Sequence, residues 1–167
     1  MLECVRSVRS WRSLGAVAAL ICVGCAQASV PSLPLQSLTH FPRTTLTIAA
    51  GTRVYRFHVW VANTPARQIQ GLMFVRDLPA SEGMLFPLHP PQVALFWMEN
   101  TYIPLDMLFV APNGRIAKIV ANAPPFSLKT ISSGVPVEAV IEIRGGEAGA
   151  LGLAVGQSVS WNPPTAG

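Results

Sequence analysis

The sequence predicts a β-rich, single-domain α+β fold, in which short strands form a partly closed, barrel-like sheet with two short helices. Half of the 167 residues are apolar and 12% are charged, so the chain can bury a core large enough to offset its ordering entropy. All 15 prolines lie after residue 30, and their spacing interrupts long helices. Between the early prolines, Val54, Phe57, Val59 and Val61 nearly alternate with polar Arg56 and His58, as in a half-buried strand.

The predicted strands follow one another along the chain from residue 45. Residues 45–49 and 53–62 are expected to form a hairpin around Ala50-Gly51. Pro112-Asn113-Gly114 is a turn sequence between two later strands. The remaining strands are expected over residues 84–87, 93–99, 105–110, 115–121, 137–143 and 157–161.

Two short helices complete the predicted elements. Thr64 is a suitable N-cap and Pro65 a suitable first helical residue, which places a helix over residues 65–73. A second helix is expected over residues 145–153. The first helix has apolar residues at helical spacing that are expected to face the core: Ile69, Leu72 and Met73.

Residues 1–28 have the three parts of a secretory signal peptide. Arginines precede a short apolar run from Leu14 to Cys25, and Ala26-Gln27-Ala28 then supplies the small residues of a cleavage site. The apolar run is too short to cross a bilayer as a helix. We therefore predict cleavage after Ala28 and a periplasmic or secreted protein without a membrane span. In the alternative, Val23-Gly24-Cys25 ends a lipobox, and the protein is a lipoprotein anchored at Cys25.

Beyond the signal peptide, the sequence predicts an extended arm over residues 29–43, one domain over residues 44–161 and a tail over residues 162–167. All three cysteines precede residue 29, which excludes disulfides, thiol catalysis and thiolate metal sites from the mature domain. The formal net charge is +4 without a basic run, which argues against a nucleic-acid partner. Methionine and histidine are not clustered at ligand spacing, so we predict no metal site and no cofactor.

Several motifs occur in a fixed order along the domain. They are Arg67-x-x-x-Gly71-Leu72-Met73, Gly83-Met84-Leu85-Phe86, Phe96-Trp97-Met98-Glu99-Asn100-Thr101, Pro104-Leu105-Asp106 with Phe109, and Val140-Ile141-Glu142-Ile143. Together they resemble the family catalogued as domain of unknown function 192, over roughly residues 44–161. The resemblance implies a small, β-rich, often exported domain without an established activity or ligand. Many relatives have Lys or Arg where this chain has Glu99, which argues against a charge-specific role there.

Arg67 and the segment around Trp97 are candidates for ligand binding. A guanidinium can clamp a carboxylate or another anion, but Arg67 can equally form an internal salt bridge with a buried acid. Trp97 offers a stacking face, and Asn100 and Thr101 offer hydrogen-bonding groups for a sugar or a flat ligand. The alternative is a core tryptophan, followed by a turn at Asn100 and Thr101.

Asp106 and Glu142 are the candidate catalytic residues, because each is a carboxylate within an apolar strand. Such a group either lies on a solvent-exposed face of the sheet or has a hydrogen-bond or ion-pair partner. Two of them near Arg67 form a general acid–base pair if their pKa values are split. If they only form ion pairs, they are a buried ion network without a catalytic function.

The sequence therefore predicts an exported small domain without an established biochemical function. We expect it to bind a small polar ligand or an envelope protein near Arg67, Trp97 and Asp106. The first alternative is an acid–base enzyme that uses Asp106 and Glu142. The second is a structural accessory domain without a ligand pocket, which would present an exposed apolar patch instead.

Overall fold

A computed structural model describes residues 35–163, so the predicted signal peptide and the lipidation site at Cys25 lie outside the described residues. Within that range there is one turn of 3-10 helix, Leu38–His40, in the arm predicted to be extended. Seven strands and two helices follow: β1 (Arg43–Ala50), β2 (Arg53–Val61), α1 (Pro65–Gln70), β3 (Glu82–Phe96), β4 (Leu105–Val110), β5 (Ile116–Ala123), β6 (Ile131–Arg144), α2 (Glu147–Leu151) and β7 (Ser158–Trp161).

All of these strands belong to one sheet, in the spatial order β5-β4-β6-β3-β2-β1-β7. The strand pairs are antiparallel except for β2 and β3, which run parallel. The two edges of the sheet meet, because Arg115 bridges to Ser158 and the Ile116 N–H donates to the Gln157 carbonyl at 3.0 Å. The sheet is thus curled and partly closed, which confirms the predicted fold class.

The sheet has an apolar cluster on each of its faces. Every strand contributes to the cluster inside the curl, which includes Leu85, Leu108, Ile141 and Ile143. The opposite face of β3, β4 and β6 carries a second cluster, which includes Met84, Phe86, Met107, Phe109 and Val140. Successive side chains of a strand point to opposite faces, so these two sets interleave along the same three strands.

The second cluster is covered by chain outside the sheet. Phe41 of the arm, Leu72 and Leu78 after α1, and Met98 after β3 are buried members of it. Segments 62–78 and 97–103 therefore lie against the outer face of the sheet. This covering layer and the outer face of the sheet together form a pocket.

Four predicted elements differ clearly from the observed ones. The runs 84–87 and 93–99 belong to a single strand, β3, whose pairing with β6 is irregular between Pro87 and Gln92. Strand β6 begins at Ile131, six residues before the predicted start. Helix α1 ends at Gln70, and Ile69 is 61% exposed, so the prediction that Ile69 faces the core was wrong.

Candidate functional site

A pocket of about 480 Å³ opens between α1 and the second half of β3. We call it the α1–β3 pocket. Apolar side chains from both elements form most of its walls, and the segment 97–101 closes one end. Four separate stretches of the sequence contribute lining residues, which include Ile69, Phe86, Val93, Trp97, Thr101 and Glu142.

Local sequence signals hold α1 short and close to the sheet. The Thr64 hydroxyl accepts a hydrogen bond from the Arg67 N–H at 3.3 Å, and Pro65 begins the helix. Gly71 ends it with φ +49°, a value that side chains with a Cβ rarely adopt. A Cβ at Gly71 would also lie 3.4 Å from the Phe86 ring, so glycine lets this wall approach β3.

Glu142 lies on the floor of the pocket, in the middle of β6. Its direct neighbours across the sheet are Met84 on β3 and Met107 on β4, and both are fully buried. Strand β3 approaches β6 very closely here, because a Cβ at Gly83 would overlap the Glu142 carbonyl oxygen. Glu142 therefore lies between two buried methionines and shares the lining of the pocket with Phe86.

The carboxyl group of Glu142 faces the pocket without a partner among the described residues. The residue is 4% exposed, and no group within residues 35–163 makes a hydrogen bond or ion pair with it. Burial disfavours the charged form and raises the pKa of Glu142 to about 8 from an ordinary value of 4.5. This is an unusual state for a carboxyl group in a folded protein, since buried polar groups normally have partners.

Asp106 lies on the opposite face of the sheet from Glu142. It pairs across the sheet with Ile143, whereas Glu142 pairs with Met107, so the two carboxylates point in opposite directions. Asp106 is fully buried and accepts backbone N–H groups from Asn122 at 2.7 Å, Gly146 at 2.9 Å and Ala148 at 2.8 Å. Its carboxylate joins β4 to β5 and to the start of α2.

Arg67 contacts the arm and makes no ion pair with either carboxylate. Its guanidinium donates to Asn63 Oδ1 at 2.7 Å, to the His40 carbonyl at 2.9 Å and to Gln36 Oε1 at 3.3 Å. It also lies 5.2 Å from the centre of the Phe41 ring. Arg67 thus fastens the arm to α1 and is not a lining residue of the α1–β3 pocket.

Neither a metal site nor a membrane span is found in the described part of the chain. No group of three or more His, Cys, Asp or Glu residues is placed to hold a metal ion there. Likewise, none of the helices within residues 35–163 is long and apolar enough to cross a membrane.

Residues 46–161 match the family described as uncharacterized ACR, which is the domain of unknown function 192 (DUF192). The chain belongs to the DUF192 family. The match confirms the resemblance found in the sequence motifs and covers nearly all of the described domain. No curated protein matches the chain.

Two solved structures are similar to this DUF192 domain. A protein of unknown function from Novosphingobium aromaticivorans DSM 12444 is 37% identical, over 80% of this chain and 94% of that one, with a TM-score of 0.73. A protein named as a putative transcription regulator from Sinorhizobium meliloti 1021 is 34% identical, over 72% of this chain and 95% of that one, with a TM-score of 0.71.

The DUF192 fold brings some of the predicted site residues together and separates others. Trp97, Thr101 and Glu142 line the α1–β3 pocket, whereas Arg67, Asn100 and Asp106 do not. Trp97 is 53% exposed at the mouth of the pocket, so it is not a core tryptophan. Asn100 and Thr101 form the turn that follows it, in which Asn100 has φ +53° and the Thr101 hydroxyl donates to the Glu99 carbonyl at 3.2 Å.

Sequence reasoning missed the apolar walls of the pocket. Ile69 was interpreted as a core residue, and Val93 and Leu95 as part of an ordinary half-buried strand. All three are at least 48% exposed and lie at the pocket. Because residues 93–96 are all apolar, the sequence does not tell which of them face solvent.

Proposed function

We propose that this DUF192 domain binds a small amphipathic molecule in the α1–β3 pocket, with one polar group at Glu142 and an apolar body against the walls. The observation that carries the proposal is the Glu142 carboxyl group, which faces the pocket without a partner among the described residues. An unpaired buried carboxyl costs free energy, and such groups concentrate at functional sites. A ligand with a complementary group would remove that cost.

The composition of the pocket supports a small organic ligand. Binding pockets for small molecules have mostly apolar linings with a few polar groups, and volumes of roughly 300–1,000 Å³. The α1–β3 pocket, at about 480 Å³, lies within that range. Its exposed apolar residues at the mouth, among them Ile69, Leu95 and Trp97, would lose contact with water when a ligand binds.

This proposal moves the predicted site away from Arg67 and Asp106. Both side chains already have hydrogen-bond partners within the protein, Arg67 in the arm and Asp106 at the start of α2. The separation of Asp106 and Glu142 on opposite faces also favours binding over acid–base chemistry by that pair, since a reacting group could not lie between them. Trp97 is retained as a ligand-binding residue, and Glu142, a catalytic candidate in the sequence analysis, is proposed as a ligand-binding residue instead.

Binding can be tested with phenethyl alcohol, which has an apolar ring and one neutral polar group. We expect it to shift the NMR signals of pocket residues, including the indole N–H signal of Trp97. That signal is assigned by its absence from the spectrum of a Trp97→Phe variant. Val93→Trp should block the mouth of the pocket and abolish these shifts. Val54→Trp is the matched control, because Val54 is similarly exposed, at 54% against 48%, but lies outside the pocket. Shifts that persist in the Val93→Trp variant, or that fall outside the pocket, would refute the proposed site.

We further propose that the domain is exported and acts outside the cytoplasm. The signal-peptide pattern of residues 1–28 supports this. The N-terminus and mass of the protein recovered from its native cells test it. A chain that begins at Ser29 supports the periplasmic or secreted form, and one that begins at an acylated Cys25 supports the lipoprotein. A chain that begins at Met1 would contradict export.

A further inference from the structure

We propose that the ligand class of the α1–β3 pocket is an organic amine, whose ammonium group binds Glu142 and whose apolar chain or ring lies against the pocket walls. This inference rests on the proposed binding function and adds the chemistry of the polar group. It follows from the charge of the lining, from its free hydrogen-bonding groups and from its aromatic side chains.

The lining carries acidic groups without basic ones. Glu142 on the floor and Glu99 at one end are both lining residues, and no Lys, Arg or His is among the described residues that line the pocket. A cation in the pocket is therefore attracted by the acidic lining residues and is not repelled by a basic one. Glu142 provides most of this attraction, because Glu99 is closer to solvent, where its charge is screened more strongly.

Two lining glutamines each engage one side-chain N–H, Gln68 with the Pro87 carbonyl at 3.0 Å and Gln70 with the Gln36 carbonyl at 2.7 Å. The Thr101 hydroxyl likewise donates to the Glu99 carbonyl. The Gln92 amide and the Trp97 indole N–H, both on the β3 side of the pocket, have no such partner within residues 35–163. The Glu142 carboxylate remains free to accept, so it is best matched by a ligand that donates. An ammonium group supplies three donors and no acceptor.

Aromatic side chains add a second attraction for a cation. Phe86 and Phe96 line the pocket and meet edge to face, with ring centres 5.0 Å apart, and Trp97 lies at the mouth. Ring faces attract ammonium groups, most strongly where water is excluded. The same rings provide apolar surface for the body of the ligand.

Binding of an ammonium group would change the protonation of Glu142. Charged residues on its face of the sheet include Arg144, which is exposed two residues further on β6; Glu82 of β3, which pairs with Arg43 at 3.3 Å; and Lys118 of β5, which donates to the Ser132 carbonyl. Burial alone raises the pKa of Glu142 to about 8, so the empty pocket holds a neutral carboxyl at pH 7. An ammonium ligand stabilises the carboxylate, and the carboxyl proton passes to the buffer. Binding at pH 7 should therefore release about half a proton to one proton, for a pKa of Glu142 that falls by one unit or by two or more.

The test compares phenethylamine with phenethyl alcohol by calorimetry on the purified protein at pH 8.5. Both probes have the same ring and linker, and an alkylammonium keeps its charge to about pH 10. We expect the amine to bind about ten- to a hundredfold more tightly, as a charge-assisted hydrogen bond provides. Glu142→Gln should remove this preference and the proton release at pH 7. Asp77→Asn, which removes an exposed carboxylate outside the pocket, should keep both.

Each other outcome separates this inference from the proposed function. If the alcohol binds in the pocket and the amine binds no more tightly, the amine inference is overturned while the binding pocket stands. If the amine preference survives in Glu142→Gln, the ammonium group does not bind at Glu142 and the inference is likewise overturned. If neither probe shifts the pocket signals, the result counts against the proposed pocket itself.

Discussion

At the scale of single residues, two carboxylates on neighbouring strands have opposite environments. Asp106 on β4 accepts three backbone N–H groups, whereas Glu142 on β6 accepts none from the described residues. The difference follows from strand alternation, which directs Asp106 to the same face as Ile143 and Glu142 to the same face as Met107. Asp106 therefore has the environment of a structural residue and Glu142 that of a binding residue.

The first prediction concerns the structural role of Asp106. Asp106→Asn replaces an acceptor oxygen with an NH₂ group that faces backbone N–H donors, and leaves at least one of them unsatisfied. We expect the free energy of unfolding to fall by about 2–4 kcal/mol. Urea unfolding measures this, with Asp77→Asn as the control for loss of one exposed carboxylate. If the two variants are equally stable, Asp106 does not have the structural role assigned to it.

The second prediction concerns the pH dependence of stability. The pKa of Glu142 is raised to about 8 in the folded protein, against an ordinary value of 4.5. Between these values the folded state holds a proton that the unfolded state has lost, so stability falls as the pH rises from about 4.5 to 8. The slope should be about 1.4 kcal/mol per pH unit.

The Glu142→Gln variant isolates this contribution, because glutamine does not titrate and has a similar shape. Urea unfolding of both proteins at pH 5, 7 and 9 should show the variant gaining relative stability as the pH rises. The gain should level off above pH 8, where Glu142 is ionised in both states. A difference between the two proteins that is the same at all three pH values would contradict the burial of an unpaired carboxyl at this position.

At the scale of elements, the arm and α1 hold each other in place. The Gln36 N–H donates to Gln70 Oε1 and Gln70 Nε2 donates to the Gln36 carbonyl, both at 2.7 Å. Arg67 adds the contacts to His40 and Asn63. Because α1 is only six residues long, this attachment stabilises a helix that would not form by itself. The arm therefore supports one wall of the pocket from outside.

The third prediction tests this attachment. Gln70→Ala removes both hydrogen bonds to Gln36, and each contributes about 1 kcal/mol. We expect the Gln36 amide to exchange with solvent at least about tenfold faster, while amides in β6 keep their exchange rates. Gln92→Ala is the matched control, since Gln92 lines the pocket from β3 and makes no hydrogen bond to the arm. Equal exchange at Gln36 in the two variants would show that Gln70 does not hold the arm.

The elements themselves were largely predictable, and the errors have local causes. The hairpin of β1 and β2 follows from alternation and turn residues, and β4 follows from a short apolar run before the turn at Pro112-Asn113-Gly114. The start of α1 follows from Thr64 and Pro65. Ile69 was misassigned because a helix this short is oriented by the arm through Gln70, and not by its own apolar spacing. The irregular pairing between Pro87 and Gln92 kept β3 from being predicted as one strand.

At the scale of the whole molecule, the sequence predicted the fold class and the family but only part of the site. Composition, proline spacing and turn residues indicate a curled β-rich domain, and the ordered motifs indicate the family. The pocket depends on contacts between residues far apart in the chain, such as Ile69, Trp97 and Glu142. Strand order decides which of these meet, and the sequence alone does not contain a signal for the order β5-β4-β6-β3-β2-β1-β7.

The central claim is that a ligand pocket surrounds an unpartnered carboxyl group at Glu142. The most direct measurement is an NMR titration of the carboxyl carbon of Glu142, with and without phenethylamine. The account predicts a midpoint near pH 8 in the free protein, moved downward by at least about one pH unit when the amine is bound. A midpoint near 4.5 that the amine does not change would contradict the claim, because it would show a carboxylate that is already hydrated or partnered.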